Sequence, residues 1–218
     1  MSASPRSPRT LKGGFVLMDG DGRAVLRSVA FQYNPDTLTR TLTPRQAASE
    51  TGDRLEALRL RGAPVETLRL EIELDATDRL EQPASNPETV ANGILPELAD
   101  LETIIAPAVA DLIAADTLAD TGTLEILPLP SPLVLVVLGP RRVLPVRVTE
   151  FGVVEEAFDT QLNPIRAKIT LGLRILSNDD LTYGSKGAAL FFAQAQRRES
   201  FARRTAPALS TLGLTGAP

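Results

Sequence analysis

From Arg166 to Ile175 the chain alternates without a break: Ala167, Ile169, Leu171, Leu173 and Ile175 are apolar, while Arg166, Lys168, Thr170 and Arg174 are polar. Successive Cβ atoms of a strand point to opposite faces, so a period of two predicts a strand with one dry face and one wet one. Leu68, Leu70, Ile72 and Leu74 repeat the pattern against Thr67, Arg69, Glu71 and Glu73. Leu144, Val146 and Val148 repeat it again, and Val154, Glu156 and Phe158 continue that strand beyond an expected kink at Gly152. Leu133 to Leu138 is apolar throughout, as in a strand buried on both faces, and Gly139-Pro140 ends it.

The remaining punctuation fits a β-rich domain. Phe15 to Met18 and Ala24 to Tyr33 flank Asp19-Gly20-Asp21-Gly22, which reads as a hairpin turn. Pro35 ends the second of these strands. Residues 41–63 are polar and read as one long loop, a length that in compact domains is usually functional or disordered. A second loop is expected over 76–88. Ile94, Leu95, Leu98, Leu101, Ile104 and Ile105 recur at helical spacing and predict a helix over about 95–105, with Pro96 in its first turn and Pro107 closing it. A turn or two of helix follows over 108–119, then a proline-rich connection over 127–132. Residues 177–182 read as a turn and 184–204 as a helix. The expected organisation is a flexible arm over 1–13, a β domain over 14–178, and a C-terminal helical extension with a mobile tail over 179–218. Strands before and after one packed helix predict an α+β, mainly β fold, or a barrel-like one, rather than a doubly wound parallel sheet.

Composition narrows the chemistry. The chain has no histidine and no cysteine. Imidazole is the commonest metal ligand and the commonest general base near neutral pH, and thiolates are the other frequent nucleophile. Most hydrolase triads and zinc sites are therefore excluded, and no cofactor or metal is expected. The net charge of −4 argues against nucleic acid as a partner. Aromatic residues make up 4% and tryptophan is absent, which disfavours stacking platforms for sugars or single strands. No apolar run reaches the roughly 18 residues of a membrane span, so no membrane insertion is expected. A calcium loop starting at Asp19 would need a carboxylate at its twelfth position, where Ala30 stands. Glu155 and Glu156, as neighbours on a strand, face opposite ways and cannot form a glycosidase pair. Asp179 and Asp180 read as solvated charge in a turn. Gly184-Ser185-Lys186-Gly187 reads as a helix cap, with anion binding at the helix start as the alternative. Arg197, Arg198, Arg203 and Arg204 either complement a helix C-terminus or dock on an acidic neighbour. No catalytic residue emerges.

Two segments carry a family resemblance. Phe31-Gln32-Tyr33-Asn34-Pro35-Asp36-Thr37-Leu38 matches the pattern F-x-[YF]-N-P-x-x-L, and the key positions are Phe31, Tyr33, Asn34, Pro35 and Leu38. Farther on come Leu138-Gly139, Val153-Val154-Glu155, Phe158-Asp159 and Asn163-Pro164-Ile165-Arg166-Ala167. In order and spacing these resemble the tube-initiator proteins of contractile injection systems and phage tails, over roughly residues 14–178. Leu138 replaces that family's tryptophan and Asn163 its glycine, and no LysM-like segment follows residue 178. The resemblance implies a tube-like barrel of twisted antiparallel sheets. Six copies would pair edge to edge into a ring that joins the spike hub to the inner tube and initiates tube assembly. It implies as partners other copies of the chain, the inner-tube protein, the spike hub protein and baseplate wedge components, assembled in the bacterial cytoplasm into a phage tail-like particle or virion. Gly139, Phe158, Asp159, Pro164, Arg166 and Ala167 would be fold determinants. The lumen would be lined by residues such as Arg69, Glu71, Arg166, Lys168 or Arg174, and the 41–63 loop would reach the next ring or the hub. Alternatives are the inner-tube subunit itself and, in another class, a carboxylate-dependent or ligand-binding β-barrel protein.

Overall fold

The computed structural model of the chain describes residues 10–46, 59–120, 131–205 and 209–213. The flexible arm expected at the N-terminus, the middle of the 41–63 loop, most of the proline-rich connection and much of the tail lie outside the described residues. Among the described residues seven strands run β1 (Gly14–Met18), β2 (Val25–Ala30), β3 (Leu38–Thr43), β4 (Val65–Asp75), β5 (Leu133–Val137), β6 (Val143–Phe158) and β7 (Pro164–Ile175). Five described helices accompany them: α1 (Thr77–Leu80), α2 (Pro87–Asn92), α3 (Leu95–Glu102), α4 (Val109–Asp120) and α5 (Lys186–Thr205). The protein is α+β and mainly β, as the alternating segments predict.

All seven strands form one sheet in the order β2-β1-β5-β6-β7-β4-β3, and every pairing is antiparallel. The expected barrel does not close. Among the described residues β2 and β3 are the two edges of an open sheet. The sheet nonetheless curls. One core cluster takes Phe15, Val29 and Phe31 from one end and Leu68, Leu70 and Ile72 from the other, with Ile94, Leu98, Leu101 and Ile104 of the α3 region between them. Burying each of these α3 side chains contributes about 1.5–3 kcal/mol. The helix therefore occupies the space across which the edges would have to meet, and Arg27 of β2 clasps Asp100 of α3 at 2.8 Å on that side.

β5 is dry on both faces, as its continuous apolar run predicts. Val134 and Val136 join the main core, while Leu133 and Leu135 join Met18 and Leu176 in a second cluster. Leu190 of α5 leans on the second cluster and Phe191 on the first, so α5 covers this end of the sheet.

Five expectations need correction. The 41–63 loop is in part a strand hairpin: Thr41 to Thr43 belong to β3, and Gln46 bridges Leu60. β3 is exposed along nearly its whole length, so no core face imprints a hydrophobic alternation on its sequence. The 76–88 loop folds into α1, a 3-10 turn over Pro83–Ser85 and the start of α2. Such turns are too short for a helical period to show. Asn86 binds the carbonyls of Arg79 and Gln82 at 3.1 and 3.0 Å and ties them together. β6 is continuous through Gly152, and its irregularity is a bulge at Thr149, between Val148 and Glu150. Leu209–Leu212, expected as mobile tail, forms a 3-10 turn. The helix over 108–119 runs longer than a turn or two, from Val109 to Asp120.

Candidate functional site

The first motif makes the corner between β2 and β3. Phe31 is 1% exposed and meets Phe15 edge-on with ring centroids 5.4 Å apart. Asn34 accepts the Gly13 N–H at 2.8 Å and donates to the Leu11 carbonyl at 2.8 Å, so it binds the strand leading into β1 on both sides. Pro35 is half-buried and Tyr33 exposed. Leu38 opens β3 opposite Leu70 and packs on the core.

The second motif makes the β6–β7 hairpin. The Asp159 carboxylate accepts the backbone N–H groups of Gln161 and Asn163 at 2.7 and 2.8 Å and the Asn163 side-chain amide at 2.9 Å. Phe158 faces Pro164 across the hairpin and is exposed; Ala167 is fully buried. The buried Pro164 offers its carbonyl to the Ile94 N–H at 2.9 Å, which fixes the start of α3. Gly139, at φ +98°, turns the β5–β6 hairpin, closed by the Leu138 N–H on the Arg142 carbonyl at 2.9 Å.

Asp75, at the end of β4, joins the two motifs. Gln32 sits inside the first motif. Its amide donates to the Asp75 carbonyl at 2.6 Å and accepts the Asp75 N–H at 3.0 Å, so one side chain pairs with a strand edge as a backbone would. Arg166, from the second motif, donates through Nε to the Asp75 carboxylate at 2.9 Å. Burial opposes ionisation of Asp75, but hydrogen bonds from Thr77 and Arg166 outweigh it and hold its carboxyl below the usual range. The hydrogen bond from the Asn163 side chain does the same for Asp159. At Asp180, burial is outweighed by the Ser177 backbone N–H and by Arg174. A carboxyl with a depressed folded pKa contributes stability that is complete above its unfolded value, about 3.9, and is lost as pH falls through the folded value. Unfolding midpoints in urea should therefore fall steeply below about pH 4, and Asp75→Asn should flatten that acid limb while lowering the neutral plateau. An acid limb unchanged in the variant would contradict this assignment.

Arg197 and Arg198 of α5 turn inward on their own chain. Glu66 continues the inward phase of Leu68, Leu70 and Ile72, and only 4% of it is exposed. Arg198 reaches both of its carboxylate oxygens at 2.7 and 2.6 Å, and Arg40 of β3 stands 3.6 Å away. Burial and then the charge of Arg40 depress the pKa of the nearby Arg142, with Arg198 adding to this and Glu66 opposing it. Arg197 donates to the Arg141 carbonyl, while Arg203, exposed, pairs with Glu199 of its own helix. Docking on the chain's own body thus accounts for Arg198. At the helix start, Ser185 Oγ accepts the Ala188 N–H at 3.2 Å, which is the cap reading.

The open face of β4 and β7 carries Arg69, Glu71, Arg166, Lys168 and Arg174 together, all on the side away from the core. Most of these charges are answered across strands or by the next turn: Arg69 by Glu150 at 3.1 Å, Lys168 by Glu156 at 3.7 Å, Arg174 by Asp180 at 2.7 Å. Asp179, read from sequence as solvated, pairs with Arg45, and Asp180 anchors the 177–180 turn through the Ser177 N–H at 3.0 Å. The two free edges complete the inventory. On β2, Val25 and Leu26 are each 62% exposed; on β3, Leu42 is exposed.

Sequence reasoning missed Gln32, Asp75, Glu66 and Gly93. Glu66 had a readable signal, because it stands in phase with four inward apolar positions. Gln32 and Asp75 had none, since their link is made across 43 residues of chain.

No family model matches this chain, and no curated protein matches it in sequence. The geometry by itself defines an α+β, mainly β protein on one open antiparallel sheet. Among the described residues no cluster of three or more carboxylates is placed to hold a metal ion, and no helix is long and apolar enough to cross a membrane.

Proposed function

We propose that the chain is a structural subunit of a contractile injection system baseplate. Copies of it form a ring, six by the family resemblance, that joins the spike hub to the inner tube and starts tube assembly. The observation that carries this reading is the pair of unpaired edges, β2 and β3, at opposite ends of one curled sheet. An unpaired edge is a template for another chain. Here the two edges differ, so β2 of one copy meets β3 of the next, and such a head-to-tail contact closes into a ring when the rotation permits. The charged face of β4 and β7 suits a wet lumen, because its ions are already paired across strands. The residues of the two motifs serve the fold in this reading, holding the corners that aim both edges.

One observation favours a second reading, the repeating inner-tube subunit. α5 is folded back on its own body by Arg198 and Glu66, so it does not project between stacked rings. The two readings part on whether the protein alone grows tubes or stops at a ring.

The test places lysines on an edge. Val25→Lys with Leu26→Lys alters two exposed side chains and is expected to change stability by no more than about 0.5 kcal/mol. The same pair should abolish ring formation, because edge lysines block strand addition. Rings formed equally well by this variant would count against edge pairing.

A further inference from the structure

α4 is a surface helix with an apolar face turned to solvent. A helix on a globular surface ordinarily keeps its apolar stripe inward and its polar residues outward. In α4, Val109, Leu112 and Ile113 stand at i, i+3 and i+4, so they share one face, and they are 70%, 44% and 61% exposed. Asp116 falls on the same face, four residues after Leu112, whereas Asp111 lies on the opposite side, and the helix carries no basic residue. The apolar face with its acidic point is left uncovered by the described residues of the body.

The complementary surface is on the same chain. Along the second half of α5, beside the β5–β6 turn, a groove of about 560 Å3 is lined by Arg141, Arg197, Ser200, Phe201 and Arg204. Every charged residue in its lining is an arginine, and Phe201 is 48% exposed within it. Arg141 and Arg204 are exposed and make no ion pair among the described residues.

We propose that α4 of one copy seats in the α5 groove of a second copy of this chain. Val109, Leu112 or Ile113 covers Phe201, and Asp116 on the same face of α4 meets Arg141 or Arg204. Charge complementarity selects this occupant over a generic apolar partner, since an acidic, apolar helix and a basic, apolar groove are both present in each copy. The contact is head to tail, so it repeats from copy to copy. It goes beyond the edge-paired ring, because it uses neither β2 nor β3 and stands whether or not those edges pair.

The experiment uses sedimentation velocity on the full chain and two charge-reversed variants, Asp116→Arg and Arg141→Glu with Arg204→Glu. All three positions are exposed, and circular dichroism checks that each variant is folded. The wild type is expected to self-associate, more weakly at 0.5 M salt than at 0.05 M, since exposed charge pairs are screened. Each variant alone should lose roughly tenfold or more in association. An equimolar mixture of the two should regain it, because the arginine on one α4 then faces glutamates in the other groove. A wild type that stays monomeric overturns the proposal, as does association untouched by either variant or a mixture that fails to recover. Val25→Lys with Leu26→Lys separates this contact from edge pairing: it should remove rings and leave the salt-sensitive association in place.

Discussion

Replacing Gly93 by alanine is expected to destabilise the protein by roughly 3 kcal/mol. Gly93 ends α2 at φ 59° and ψ −128°, a backbone region open in practice only to glycine. A Cβ built there would lie 2.2 Å from the Pro164 carbonyl oxygen. That oxygen accepts the Ile94 N–H, so the backbone cannot move away without breaking the bond that starts α3. Strain and a lost buried hydrogen bond therefore act together, and α3 with its flanking residues Ile94 and Ile104 carries four of the core side chains. Gly20→Ala is the control. It has nothing within 4 Å and no positive φ, and its unfolding midpoint in urea should stay close to wild type. Equal midpoints for the two variants would remove Gly93 from this role.

Arg198→Ala should cost about 2–3 kcal/mol. Removing one partner of a buried ion pair typically costs about 3–5 kcal/mol, because the other charge is left in the core. Two features reduce that figure here: Arg40 remains 3.6 Å from Glu66, and a third of the Arg198 side chain is already exposed. The same variant should release α5, seen as faster proteolysis within 186–205. The double variant Glu66→Leu with Arg198→Leu should recover most of the loss, since an apolar pair of similar volume replaces a buried ion pair at little cost. A double variant as unstable as the single one would show that the arginine acts through packing rather than through the charge of Glu66.

The legible part of the fold is the part where one face is buried. β4 and β7 are readable because their core residues fall at every second position, and β5 because both its faces are covered. The edges were harder: β3 has no dry face, so its second half, Thr41 to Thr43, read as the start of a loop. Closure was not legible at all. Whether a sheet meets itself depends on what fills its curve, and here α3 does, held by Gly93 against the hairpin turn at Pro164. The site followed the same rule. Asp159 bonds within its own turn, while Asn34 reaches back to Gly13 and Leu11, and both were found because each sits in a short local motif. Asp75 collects Gln32 and Arg166 from distant segments, and no local pattern marks it.

On the proposed reading, the free strand edges carry this chain into a ring. Negative-stain electron microscopy with mass measurement tests it most directly, on the protein alone and then with the inner-tube and spike hub proteins. Closed rings of a single size, formed alone or on the hub and lost with Val25→Lys and Leu26→Lys, are the predicted result. A stable monomer that joins neither protein would contradict the account.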